Sequence, residues 1–147
     1  MFRQLLDTDD DRLVALMRIV LGVVMFPHGA QKVLGWFGGY GIAGTYEFFT
    51  QGLHIWGVVA YCVIFGEFFA SLGLLTGAFG RVAAAVVFVI QLGGVIIVHS
   101  TNGFFMNWGG QQVGEGYEFH LMSLTLSLVL VLRGSGALSV DRWLAKR

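Results

Sequence analysis

Four long apolar stretches, separated by segments rich in glycine and aromatic residues, dominate the pattern of this sequence. A helix needs about 20 mostly apolar residues to cross a bilayer, and each stretch approaches that length. The predicted spans cover residues 13–34, 55–76, 82–98 and 119–132. The pattern therefore predicts an all-α fold: a single transmembrane domain over residues 1–147, built as an integral membrane four-helix bundle.

The connections between the predicted spans differ in length. Residues 35–54 and 100–116 are long and carry many glycines and aromatics, whereas residues 77–81 are so few that they predict a tight hairpin. After the fourth span, Ser139 is placed to cap a short helix with Val140, Trp143 and Leu144 on one side. We expect this C-terminal helix to lie at the interface of the cytoplasmic leaflet.

Basic residues are distributed unequally between the two ends of the predicted spans. The end with the termini and the hairpin collects Arg3, Arg12, Arg81, Arg133, Arg142, Lys146 and Arg147. The opposite end has only Lys32, so the positive-inside bias predicts that both termini are cytoplasmic. That topology brings the four histidines toward the outer face. They are His28, His54, His99 and His120.

Composition supports a membrane protein and narrows its chemistry. Charged residues make up 12% of the chain, about half the share usual in soluble domains, and the mean hydropathy is +0.73. The formal net charge of zero leaves no positive field to hold a nucleic acid. Cys62 is the one cysteine, so the chain has neither an intrachain disulfide nor a Cys-x-x-Cys pair. Any electron chemistry must come from a bound cofactor or a partner.

Glu67 lies near the middle of the second predicted span. An ionised carboxylate there costs at least about 2.5 kcal/mol, so it should pair with a cation, face the other helices or stay protonated. Arg18 is the expected partner by depth, and Arg81 is the second choice. Glu67 then serves either as a proton or substrate site or as half of a structural ion pair that fixes helix register.

Helical periodicity also predicts which faces of the spans point inward. Small and polar residues of the first span share one face: Arg18, Gly22, Met25, Gly29 and Lys32. The second span has a face of small residues suited to close helix packing: Gly66, Ala70, Gly73 and Gly77.

Polar side chains in the third and fourth spans extend this interior. They are Gln91, His120, Ser123 and Ser127. With Glu67 they would line a polar track that opens to the outside, or they would only form hydrogen bonds between helices. A solute or proton carrier built on Glu67 and Gln91 is a further alternative, although secondary transporters usually have more spans and inverted repeats.

The outer loops combine glycines and aromatics, which suits either a membrane-interface belt or a pocket for a quinone ring. Glu115 and Glu118 join the histidines on this side, so a metal or haem site is also conceivable. Because no two histidines have a ligand-type spacing, we predict no metal site.

Six segments, taken together, resemble the DoxX family of small four-helix membrane proteins over nearly the whole chain from Arg18 to Leu144. They are RIVLGVVMFPHGAQKVLGWFGGYG (18–41), GTYEFF (44–49), GEFFASLGLLTGAFGR (66–81), HSTNGFF (99–105), GYEFH (116–120) and GSGALSVDRWL (134–144). The resemblance implies a multi-pass protein of the bacterial inner membrane. Relatives include membrane subunits of a thiosulfate:quinone oxidoreductase, and other members are associated with oxidative-stress and thiol-redox assemblies. The lone Cys62 argues against a thiol-exchange role here.

The resemblance and the interior track together give nine candidate ligand-binding residues and no assigned catalytic residue. The family motifs supply Arg18, His28, Lys32, Glu67, Arg81, His99 and Glu118, and the track adds Gln91 and His120. We expect a protein that binds quinone, or the membrane subunit of a quinone-linked oxidoreductase, in contact with membrane lipid and with partner subunits. The alternative is a non-catalytic accessory or scaffold subunit of a larger membrane complex.

Overall fold

The computed structural model describes residues 5–146, and within that range the chain is helical, with no strand. Two of the helices continue into turns of different pitch: α2 into a π-helix at Phe48–Gly52, and α4 into a π-helix at Val95–His99 and a 3₁₀ turn at Ser100–Asn102. The α-helices are α1 Arg12–Val33, α2 Gly41–Glu47, α3 Gly57–Thr76, α4 Gly80–Gly94, α5 Glu118–Arg133 and α6 Val140–Ala145.

Three helical segments are long and apolar enough to cross a membrane: Arg12–Val33, Gly57–Thr76 and Gly80–Asn102. The fourth predicted span corresponds to α5, whose 16 residues rise about 24 Å, less than the roughly 30 Å of hydrocarbon in a bilayer. Large apolar side chains such as Leu16, Val58 and Val89 are exposed on the three long segments. Exposed apolar surface of this kind is what contact with lipid requires.

The long helices pack side by side: α1 on α3, α3 on α4, α4 on α5, and α1 on α5. The predicted inward face of α1 is confirmed, because four of its five residues are buried and Lys32 is half-buried. Gly29 explains the close approach of α1 and α3, since a Cβ there would lie 2.6 Å from Cα of Phe68. The core between the helices is apolar, with Leu21, Met25 and Leu74 buried in it.

The small-residue face of α3 packs against α4, as predicted. A Cβ at Gly66 would lie 3.3 Å from Val86, and one at Gly73 would lie 3.0 Å from Cβ of Ala83. Gly77 has a different role, because it ends α3 in the left-handed region at φ 69°. The packing interpretation of this face therefore holds for the helical glycines, while Gly77 makes the turn.

The structure shifts several predicted boundaries. The turn between α3 and α4 occupies only residues 77–79, and α4 begins at Gly80 rather than at residue 82. It begins early because the carboxylate of Asp141 accepts hydrogen bonds from the backbone N–H groups of Phe79 and Gly80, at 2.6 and 2.8 Å. The predicted loop 35–54 contains α2 and its π-helix, and helical backbone continues past residue 98 to Asn102.

Both ends of the described chain meet at one end of the long helices, which we call the terminal end. It comprises residues 5–12, 77–81 and 133–146, together with the side chain of Arg18, which donates to carbonyls in the last of these segments. The backbone N–H of Ala137 donates to the carbonyl of Asp11 (3.0 Å), and Arg142 forms an ion pair with Asp10 (2.7 Å). Ser139 caps α6 as predicted, accepting from the N–H of Arg142 at 3.2 Å. Arg3 and Arg147, counted in the charge prediction, lie outside the described residues.

Candidate functional site

The opposite end of the long helices, where residues 34–56 and 103–117 connect them, is called the loop end here. Its central feature is an ion pair between α1 and α3. The amine of Lys32 lies 3.2 Å from Oε1 and 3.1 Å from Oε2 of Glu67, and it also donates to the carbonyl of His28 at 3.2 Å. The Glu67 side chain is 5% exposed and that of Lys32 is 21% exposed, so the pair is largely shielded from the surroundings.

Arg18, the expected partner of Glu67, is elsewhere, and that prediction is wrong. Its fully buried guanidinium donates to five backbone carbonyls, those of Leu74, Leu75, Ser135, Ala137 and Leu138. Because α1 and α3 run antiparallel, Arg18 lies level with the C-terminal turn of α3, about two turns from Glu67. There it satisfies carbonyls that a helix end leaves without partners.

Arg81, the second expected partner, is also not bound to Glu67. Its Nη1 donates to the carbonyls of Val131 and Leu132, at 2.5 and 2.8 Å, and its Nη2 donates to the carbonyl of Asp7 at 3.1 Å. Arg81 therefore does for the C-terminus of α5 what Arg18 does for that of α3. Lys32, near the end of α1, is the cation that reaches the level of Glu67.

Two histidines meet across α4 and α5 at the loop end. The ring centroids of His99 and His120 are 4.1 Å apart. His99 is the last residue of the π-helix, and its Nδ1 lies 2.8 Å from the carbonyl of Glu115. A carbonyl oxygen only accepts, so Nδ1 carries the hydrogen, and Nε2 of the neutral His99 ring keeps its lone pair.

Only some of the polar side chains in the predicted track on α4 and α5 form hydrogen bonds. Gln91 donates to Sδ of Met25 at 3.1 Å, and the hydroxyl of Ser127 donates to the carbonyl of Ser123 at 2.7 Å. By contrast, Nδ1 of His120 and Oγ of Ser123 are buried without a hydrogen-bond partner among residues 5–146. Buried polar groups are nearly always paired, so these two atoms require an explanation.

His28 links the ion pair to the histidine pair. Its ring lies within electrostatic reach of Lys32 and Glu67 and also of His120. The His28 ring is also 6.2 Å from that of Phe119, between centroids. Titratable groups from α1, α3, α4 and α5 thus come together at the loop end. We call His28, Lys32, Glu67, His99 and His120 the loop-end cluster.

The other candidate residues have separate positions. Glu118 accepts from the N–H of Met106 (3.0 Å) and from Nε1 of Trp108 (3.3 Å), so it holds the loop before α5 in place. Gln91 is bound to Met25, and the two arginines are at the terminal end. Within the described chain, no group of three or more His, Cys, Asp or Glu side chains is arranged to hold a metal ion.

Sequence reasoning gave no role to Asp141. The carboxylate of this buried residue accepts two backbone N–H groups at the start of α4 and the hydroxyl of Ser135 at 2.6 Å. The available signal was an acidic residue two positions after the predicted cap Ser139, where a solvent-exposed position in the first turn of α6 was the simpler interpretation. Ser123 was included in the polar track but was not singled out.

Comparison with known proteins supports the predicted resemblance. The model of the DoxX family matches residues 13–100, more than half of the chain. A search of curated proteins and a search of solved structures found no match. The matched region runs from α1 to the π-helix after α4 and includes four of the five residues of the loop-end cluster, with His120 beyond it. On this evidence the chain is a membrane protein that belongs to the DoxX family.

Proposed function

We propose that this protein binds a quinone at the loop end, on its own or as the membrane subunit of a quinone-linked oxidoreductase of the bacterial inner membrane. The observation that carries the proposal is the loop-end cluster. Four helices contribute an ion pair and three histidines to one region of a chain that is otherwise mostly apolar. Ionisable groups in a membrane segment are costly, and they commonly mark a ligand or proton site.

The residues present fit a quinone. Its ring oxygens accept hydrogen bonds, and its reduction takes up two protons, so the site needs donors and groups that exchange protons. The cluster contains a lysine, a carboxylate and three imidazoles. Gly94 adds space, since a Cβ there would only just touch the rings of His99 and His120, at 3.8 and 3.9 Å. The space beside the two histidines on α4 is therefore about the size of one methyl group.

The bound quinone would supply the two-electron chemistry, and the residues of the chain would bind it and handle protons. His99, with Nδ1 fixed by Glu115, presents Nε2 as a proton acceptor. Glu67 lies deeper and is held by Lys32, so it is positioned as a proton-exchanging group rather than as a direct contact. His28, which is exposed, interacts electrostatically with both parts of the cluster.

The proposed arrangement in the membrane is a four-helix bundle with α5 as a short fourth span, both termini in the cytoplasm, and α6 at the cytoplasmic leaflet. Basic side chains support this orientation, because Arg12, Arg81, Arg133, Arg142 and Lys146 all belong to the terminal end. Reporter fusions after Leu53 and after Arg147 test it. They are expected to report outside and inside, respectively, and the reverse pattern would overturn the orientation.

The quinone proposal is tested by purifying the protein in mild detergent and extracting the bound lipids. Wild-type protein is expected to retain quinone and His99→Ala should retain much less, whereas Glu67→Gln should retain quinone but lose quinone-dependent activity. His54→Ala is the matched control, because His54 is an exposed loop-end histidine outside the cluster. Wild-type protein without quinone, or equal retention in all variants, would count against the proposal.

A scaffold role is the second candidate, and exposed aromatic side chains at the loop end favour it. Trp56 and Trp108 are 83% and 87% exposed, and Trp36, Phe37 and Tyr40 of the loop-end segment 34–56 are also exposed. Aromatic residues are enriched in protein interfaces and also at the headgroup level of membranes. Native mass analysis after gentle solubilisation separates the two: a partner subunit is expected for a scaffold, and a lone monomer would contradict it.

A further inference from the structure

The inner face of α5 carries two buried polar atoms without partners, one helical turn apart. Nδ1 of His120 and Oγ of Ser123 have no hydrogen-bond partner within residues 5–146, although their residues are only 7% and 2% exposed. Residues three apart on a helix lie on the same face, with Cβ atoms about 5–6 Å from each other. One ligand atom or water molecule can therefore form hydrogen bonds with both atoms.

Ser127, one turn further along the same face, shows that the missing hydrogen-bond partner is specific to Ser123 and not common to the serines of this helix. It is as buried as Ser123, but its hydroxyl donates to the carbonyl of Ser123 at 2.7 Å. Serines inside helices commonly satisfy themselves in this way. Ser123 does not, so its hydroxyl remains available to another molecule.

The neighbours of the two atoms are aromatic rings and a glycine, and they bury both atoms completely. His99 lies against His120, but its Nδ1 is already bound to the carbonyl of Glu115. The Phe119 ring meets the His120 ring edge-on, with centroids 5.6 Å apart. On the side of α4, Gly94 contributes no side chain. Aromatic faces and a glycine therefore surround the two hydrogen-bonding atoms in what we call the niche, and a ring oxygen reaches these atoms when one of the surrounding side chains shifts.

We propose that His120 and Ser123 together bind one ring oxygen of the quinone, an inference that rests on the proposed function. A quinone carbonyl accepts from the Ser123 hydroxyl and from protonated Nδ1 of His120. A quinol hydroxyl instead donates to Nδ1 when that nitrogen is bare. The same two groups hold the oxidised and the reduced ring, and they position it against α5. A resident water offers the same oxygen chemistry, and the test below distinguishes the two sources.

The experiment compares Ser123→Ala with Ser127→Ala in the full chain in detergent. Without ligand, Ser123→Ala removes an unsatisfied hydroxyl and should raise the melting temperature by about 2–4 °C. Ser127→Ala removes a satisfied hydroxyl and should give no increase. In titrations with a short-chain ubiquinone, Ser123→Ala is expected to bind about tenfold more weakly, the loss of one good hydrogen bond. Ser127→Ala should bind as wild type does.

His120 variants provide a second readout. Asn keeps a hydrogen-bonding group near the position of Nδ1, whereas Phe removes it, so His120→Asn should retain more ubiquinone affinity than His120→Phe. An analogue that lacks both ring oxygens should bind all variants equally. Equal affinity of His120→Asn and His120→Phe would overturn the role of Nδ1.

The outcomes separate this inference from the function on which it rests. If wild-type protein binds ubiquinone and Ser123→Ala binds it equally well, the inference fails and the proposed function stands. If wild-type protein binds no ubiquinone, both fail. If Ser123→Ala lowers the melting temperature of the ligand-free protein and leaves binding unchanged, a resident water satisfies the hydroxyl and the inference is overturned.

Discussion

The two ends of the long helices treat polar groups in opposite ways. At the terminal end, each helix end is closed by a side chain of the appropriate charge. Asp11 caps the N-terminus of α1, accepting from the N–H groups of Leu13 and Val14, and Asp141 does the same for α4. Arg18 and Arg81 donate to the C-terminal carbonyls of α3 and α5. These charges complement the helix dipoles.

The loop end has no such closure at the helices that begin there. Neither α3 nor α5 has a side-chain hydrogen bond at its N-cap, and polar groups collect between helices instead of at their ends. Two of those groups have no partner within the described residues. The polar groups at the two ends therefore have different roles. One end fixes helix positions, and the other retains polar groups that a closed, satisfied design would eliminate.

The largest effect is expected from breaking the terminal end at Arg18. Arg18→Ala leaves five backbone carbonyls without their buried cationic donor, and losses from disrupting such buried charged contacts reach about 3–5 kcal/mol. Thermal melting in detergent measures it, with exposed Arg12→Ala as the control. Equal melting of the two variants would mean that the arginine cap does not stabilise this end.

A smaller loss is expected at Asp141. Asp141→Ala removes the acceptor for two backbone N–H groups at the start of α4 and for Ser135, so unfolding free energy should fall by about 2 kcal/mol. Asp9→Ala, at an exposed carboxylate 3.9 Å from Arg133, should cost less than about 1 kcal/mol. Denaturant unfolding of both variants checks the ranking, and a reversed order would contradict it.

The ion pair at the loop end can be isolated by a double-mutant cycle. Lys32→Met, Glu67→Gln and the double variant should yield a coupling energy between about 0.5 and 3 kcal/mol, because the pair is shielded and its partners touch. The same cycle on Arg142 and Asp10, where Asp10 is exposed, should give less than about 1 kcal/mol. Coupling that is larger for the terminal-end pair would refute the contrast in shielding.

The smallest change in stability is expected at Gly94. Gly94→Ala adds a methyl group in ordinary contact with the two histidine rings, so unfolding free energy should change by no more than about 1 kcal/mol. Quinone retention should nevertheless decrease, because the methyl group fills the space beside His99 and His120. Gly93→Ala, which meets no atom within 4 Å, is the control and should leave retention unchanged. Equal retention in both variants would contradict the niche.

The sequence predicted the helices better than their mutual contacts. Apolar stretches located the four long helices to within a few residues, and the small-residue faces of α1 and α3 were identified because packing follows helical periodicity. The partner of Glu67 was missed because it depends on the register between antiparallel helices. Periodicity within one helix contains no information about that register. The depth estimate also misled, since Lys32 had been assigned to the outer end of the first span, whereas Arg18, about two turns in from the cytoplasmic side, was judged to match the depth of Glu67.

The histidine pair and Asp141 show two further limits. A π-helix adds residues to a turn, so the 3.6-residue period that indicates helices cannot predict which way His99 points. Asp141 reaches α4 across more than 60 residues of sequence, and such a long-range cap leaves no local pattern. The predicted cap at Ser139 succeeded because its hydrogen bond spans only three residues.

The bonds of Arg18 also constrain how the protein is made. Three of its five acceptor carbonyls belong to Ser135, Ala137 and Leu138, more than 115 residues later in the chain. A ribosome delivers α1 to the membrane long before it delivers those residues, so the guanidinium first meets only its partners on α3. Contacts between distant parts of a sequence form late. The terminal end therefore cannot close before residues 135–138 have been synthesised, and a chain that stops after α5 would leave Arg18 only partly satisfied.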